Sequence, residues 1–151
     1  MIKKRKRSRT SRIQIKQILI PIDGSKNSFR ALDMAIFLAK QHKAKLFGIS
    51  VIDLPTILEY SVLDPVSKRL EKKANLILKR AKLRSFKSRI SFKSKIIHGS
   101  VGPSLIKFSQ RNKYDIIVIG ARGLGSFSGI VLGSVSNFII QKSKIPVVIV
   151  K

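Results

Sequence analysis

Short apolar runs, separated by stretches that switch to helical spacing, constrain this chain more than any other feature. "QILIPID" (17–23), "AKLFGISVI" (44–52), "YDIIVIG" (114–120) and "IPVVIV" (145–150) are near-continuous apolar runs, and "ISFKSKIIH" (90–98) alternates. Each reads as a strand, the alternating one nearer a sheet edge. Pro21 marks the fraying end of the first, because an interior proline removes a ladder donor. Between them, residues 24–41 place Phe29, Leu32, Ile36 and Ala39 at helical spacing behind Ser25 as N-cap. Residues 53–64 read as a loop containing Pro55, and residues 66–83 as a helix with Val66, Leu70, Ala74, Ile77 and Ala81 on its inner face. "GSVGP" (99–103) reads as a turn, with Pro103 at the first position of a helix reaching about Asn112. A last helix spans Gly133 to Lys142 with Val135, Phe138 and Ile139 inward. Strands that are apolar throughout must be covered on both faces, so the alternation predicts a single-domain α/β fold. Its open parallel sheet has five strands, helices on both faces and right-handed crossovers. Ligands of such sheets bind beyond the carboxyl ends of the strands.

Composition narrows the function classes. The 151 residues suit one domain. No run approaches the roughly 18 apolar residues of a membrane span, and no secretory signal is expected, since Met1 is followed by charge. Cysteine is absent, which excludes disulfides and thiol catalysis and fits the reducing cytoplasm. With two histidines and no cysteine, a zinc site is not expected. Of a net charge of +25, eight positives belong to residues 1–16 and +17 remains on residues 17–151. The 1–16 tail, without acids or an apolar period, is expected to be disordered, and residues 17–151 to form the domain. So many like charges favour polyanionic neighbours.

Gly120, Gly123, Gly125, Gly129 and Gly133 fall within fourteen residues, after the fourth strand and before the last helix. Glycine inside regular structure costs about 0.5–1 kcal/mol relative to alanine, so here the backbone itself matters. A side-chain-free loop lets N–H groups converge on an anion, and a following helix adds about half a positive charge. A flexible surface loop is the plain alternative, but the position between strand and helix, on the same sheet edge as Asp23, favours phosphate. The segment is not Gly-x4-Gly-Lys-Ser/Thr, because no lysine follows Gly133. Nor is it the dinucleotide fingerprint, because Ser128 stands at the third glycine.

What remains is Gly120-x2-Gly123-x9-Gly133-Ser134. This spacing resembles the ATP-binding branch of the universal stress protein family. The resemblance extends through "ILIPIDGS", "ISVID", "GSVGPSLIKFSQRNKYDIIVIGARG" and "LGSVSNFIIQKSKIPVVIVK", nearly everything after residue 16. It implies an adenine nucleotide alpha hydrolase-like sheet of order 3-2-1-4-5, with the nucleotide over strands one and four. Carried over residue by residue, it implies Asp23 at the adenine and ribose end, Val51 offering backbone contacts to the adenine, and Pro21 and Ile22 flanking the base. Gly120, Gly123, Gly133 and Ser134 would line ribose and phosphates, with Val135 and Ser136 next in line. The implied ligand is ATP, ADP or AMP, with Mg²⁺ accompanying a triphosphate. The implied role is a nucleotide-dependent regulatory or stress-response module.

Plainer roles stand beside these. Asp23 and Ser134 are both also suited to capping a helix. Arg122 can pair with phosphate or with an acid such as Asp115. Lys107, Arg111 and Lys113 read as a solvated face. The family forms dimers, often through the last strand, and an exposed "IPVVIV" would be an aggregation hazard if unpaired; a homodimer through 145–150 is therefore expected. The catalytic inventory is thin. Only Asp23 is expected in the site, with Asp53 two residues past Val51; His42 reads as surface and His98 as structural. A binding protein fits better than an enzyme, with slow ATP hydrolysis permitted but not required. The competing class is association of the basic tail with nucleic acid or an anionic membrane surface, through charge and without aromatic stacking.

Overall fold

The computed structural model describes residues 14–53, 65–124 and 132–151. The tail through residue 13, the loop stretch 54–64 with Pro55, and Gly125 and Gly129 lie outside the described residues. In chain order the elements are β1 (Gln17–Pro21), α1 (Lys26–His42), β2 (Lys45–Ile52), α2 (Pro65–Lys87), β3 (Phe92–His98), α3 (Val101–Arg111), β4 (Ile116–Gly120), α4 (Ser134–Lys142) and β5 (Val147–Val150). All strand pairings are parallel and the sheet order is β3-β2-β1-β4-β5. The order reverses at β1 and β4, and their carboxyl ends open the crevice that the site occupies.

The period of two in the strands sorts the core into two layers. Ile18, Ile20 and Ile22 face α1 and α2, where they meet Leu32, Ile36, Ala39, Ile77 and Ala81. Leu19, Ile49, Ile117 and Ile119 face α3 and α4, meeting Leu105 and Ile139. Ser25 caps α1, its hydroxyl accepting the Ser28 N–H at 3.1 Å. Across the first layer, the Arg84 guanidinium pairs with Asp33 at 2.6 Å, and the guanidinium of Arg80 lies 4.8 Å from the Phe29 ring centre. Asp115 ties the start of β1 to β4, because its carboxylate accepts the N–H groups of Lys16 and Gln17 at 2.7 and 2.8 Å.

Several boundaries differ from the sequence reading. α2 runs to Lys87 rather than residue 83, since no Gly or Pro stops it before the left-handed Arg89 at φ 58°. Its inner face passes through Leu78 and Ser85, whose hydroxyl returns to the Ala81 carbonyl, while Val66 at the entrance is half exposed. α3 starts at Val101, so Pro103 is its third residue and not its first. The first turn tolerates it there because those N–H groups have no intrahelical acceptor. β4 starts at Ile116 and β5 at Val147, each two residues later than expected.

Candidate functional site

A cavity of about 390 Å³ opens at the carboxyl ends of β1, β2 and β4, on the α3–α4 side. The β1 end supplies Pro21, Ile22 and Asp23; β2 supplies Ile49 and Val51. The β4 end supplies Gly120, Arg122 and Gly123, and the start of α4 supplies Gly133, Ser134, Val135 and Ser136. Every residue expected at the site from the sequence thus lines one cavity. Asp53 does not, and His98 points elsewhere, its Nε2 lying 3.1 Å from Glu71. Arg122 is not paired with Asp115, whose carboxylate holds the other end of β1.

The local chemistry follows from a few contacts. Asp23 accepts the Ser25 N–H at 2.9 Å on one oxygen and the Leu124 N–H at 3.3 Å on the other. One carboxylate therefore links the loop after β1 to the loop after β4. At Gly123 an added Cβ would lie 2.7 Å from the Asp23 Oδ2, so a side chain there would displace the carboxylate. At Gly120 a Cβ would lie 2.8 Å from the carbonyl carbon of Asn27, so β4 passes flush against α1. At Gly120 the close neighbour is main chain, so packing within the protein itself excludes a side chain.

The start of α4 is different. Gly133 is the N-cap, with extended backbone at φ −75° that any residue adopts, and no side chain caps the helix. Ser134 is the first helical residue and is exposed, so it is not the cap that the sequence allowed. The Gly133 N–H donates to the Ala121 carbonyl at 2.7 Å. The Ser136 hydroxyl, 2.8 Å from the Ala121 carbonyl and 2.9 Å from that of Gly133, shares its one proton between them. Both contacts clamp the helix start to the end of β4. The side chain of Ser136 is thereby spent internally, and the first backbone N–H groups of α4 are left without intrahelical acceptors at the cavity wall. That end carries the positive half of the helix dipole, and Arg122 lines the same cavity.

The opposite wall is apolar. Val101 and Leu105, one turn apart on α3, join Ile49, Val51 and Ile119. Sequence reasoning did not single out these four-carbon and three-carbon side chains apart from Val51, nor Ser28, Leu124 and Leu132. Their pattern is that of ordinary core residues, and only their position at the carboxyl end of the layer distinguishes them. The arrangement pairs an apolar wall with an anion-receptive helix end and one carboxylate acceptor among the described residues. Among the described residues no three His, Asp or Glu converge.

Comparisons with known proteins follow this geometry. The model of the family described as the universal stress protein family matches residues 14–151. A universal stress protein of Methanocaldococcus jannaschii is 29% identical over 139 residues, which cover 90% of this chain and 82% of that protein. A solved universal stress protein in complex with cAMP is 25% identical with a TM-score of 0.73, covering 91% of this chain and 97% of that one. The universal stress protein of Archaeoglobus fulgidus, solved in complex with dAMP, has a TM-score of 0.69 over 92% of this chain and 99% of that one. At 20% identity the last likeness concerns the fold.

Proposed function

Because this chain belongs to the universal stress protein family, we propose that it binds an adenine nucleotide, ATP, ADP or AMP, in the cavity over β1 and β4. The observation that carries this reading is the junction of an apolar slot with the open N–H groups of α4 in one crevice. The base lies between Ile22 and Val51, whose backbone is read by the adenine edge. Asp23 accepts from the ribose, and the phosphates meet Gly120, Gly123, Gly133 and the N–H groups of Ser134, Val135 and Ser136. Among the described lining residues Arg122 is the one cation. A Mg²⁺ ion would be held chiefly by the triphosphate, with Asp23 the one carboxylate among the described lining residues.

The reading is a binding module, with slow ATP hydrolysis permitted but not required. General base catalysis needs a carboxylate or imidazole within reach, and among the described lining residues Asp23 alone offers one. Nucleotide occupancy then sets the tie between the two loops that Asp23 joins, which is a route to a regulatory output under stress. The protein works in the cytoplasm, in keeping with its lack of cysteine. It pairs as a homodimer through β5, an edge strand whose four residues are all partly exposed. The 1–16 tail, with eight cations and no acid, adds non-specific affinity for polyanions.

The test starts from protein purified in high salt with nuclease treatment, then heat-denatured. Mass spectrometry of the released small molecules is expected to find an adenine nucleotide. Its absence, together with no calorimetric binding of added Mg-ATP or AMP, overturns the reading.

A further inference from the structure

We propose that the outward face of α2 is a docking surface for an anionic lipid bilayer. α2 is 23 residues long and carries nine Lys and Arg against the single Glu71. Its inner side is used by the core, through Ala74, Ile77, Leu78 and Ala81. The outer side is not simply polar. Leu76, Leu83 and Phe86 are 55%, 53% and 77% exposed. Steps of seven and three residues put them on one line directed away from the sheet. Lys72 and Lys79 fall on the same line, four residues before and three after Leu76.

These lysines are uncommitted. Arg84 is held by Asp33, and Glu71 is turned to His98. Among the described residues no carboxylate lies within ion-pairing distance of Lys72 or Lys79. The helix therefore presents an unneutralised cationic face with an apolar centre line.

Charge complementarity calls for a polyanion, and the apolar line selects which one. Against a nucleic acid, Leu76 and Leu83 offer neither a ring for base stacking nor a donor for phosphate, and the bases of a duplex, already stacked on one another, are closed to the single ring of Phe86. Against a bilayer, leucine and phenylalanine enter the headgroup–acyl boundary while the lysine stems carry their ammonium groups back to lipid phosphates. A helix with an apolar line flanked by lysines lies in the interfacial plane. This surface is separate from the nucleotide cavity, so the proposal stands or falls independently of it.

The experiment floats the full chain with phosphatidylcholine vesicles containing phosphatidylglycerol, at physiological salt. Pure phosphatidylcholine vesicles and a short DNA duplex serve as the comparisons. The protein is expected to float with the anionic vesicles and not with the neutral ones. The triple variant Leu76→Gln, Leu83→Gln, Phe86→Gln keeps every charge and changes only exposed side chains. It is expected to lose at least about tenfold in vesicle affinity, with unchanged duplex affinity and thermal midpoint. Lys72→Gln with Lys79→Gln is expected to weaken vesicle binding about fivefold per charge. The basic tail is present throughout, so its contribution is common to all variants. Vesicle binding of the triple variant equal to that of the parent overturns the proposal, as does parent protein that binds the duplex but not the anionic vesicles.

Discussion

The two sides of the sheet use the same strands to opposite ends. Under α1 and α2 the layer is closed: Ile18, Ile20, Ala31, Leu32 and Ala35 are fully buried, and α1 extends across β1 and β4 to β5. Under α3 and α4 the covering helices are only 11 and 9 residues long. They leave Ile49, Val51 and Ile119 facing a cavity at the carboxyl end. Long covering helices complete a core, and short ones leave room for a ligand. Stability should therefore reside chiefly on the first side and recognition on the second.

Substitutions can break this division, beginning with the largest effect. Leu32→Ala empties a fully buried site in the closed layer and is expected to cost about 2–5 kcal/mol in denaturant unfolding. The folded fraction should bind adenine nucleotide with unchanged affinity; an affinity that falls with stability would mean the two sides are one cooperative unit. Gly120→Val lies where the sides meet. Its side chain would be driven into the Asn27 backbone, so a loss of about 1–3 kcal/mol and weaker binding are expected together. Asp23→Ala removes the acceptor for two backbone N–H groups. A loss of about 1–2 kcal/mol should accompany reduced nucleotide affinity, and full affinity would remove Asp23 from the site.

The smallest effect concerns Tyr114, in the aromatic cluster with Phe47 and Phe108 at the amino end of the second layer. Burial pushes its phenol up to about 12. The folded state thus holds this proton more tightly than the unfolded chain, and the resulting stabilisation is complete below pH 10 and lost as pH rises toward 12. Tyr114→Phe should flatten that alkaline decline, measured as thermal midpoint against pH. An identical slope in the variant would assign the decline to other groups.

The same contrast explains what could be read from the residues. The closed side was legible because amphipathic spacing marks it: Phe29, Leu32, Ile36 and Ala39 behind the Ser25 cap need no tertiary information. Asp23 and the Gly120–Gly123 pair stood out because they interrupt an apolar strand at its end. The apolar half of the cavity did not. Val101, Leu105 and Ile119 have the pattern of core residues, and only strand register and the short reach of α3 leave them against open space. The reasons for the glycines were also hidden. Phosphate access accounts for all of them equally from sequence, whereas the contact with the Asn27 backbone assigns Gly120 to packing. The end of α2 was missed because its stop is a left-handed arginine and not a glycine.

Gly133 is where the central claim is most exposed. Its extended backbone accepts a side chain, so Gly133→Val should fold while placing a branched group over the open end of α4. Calorimetric titration of Mg-ATP and of AMP into the parent chain and this variant is the deciding measurement. The account predicts one nucleotide per chain for the parent, and a loss of at least about tenfold, or 1.4 kcal/mol, for a folded Gly133→Val. Equal affinity in the two proteins would contradict it.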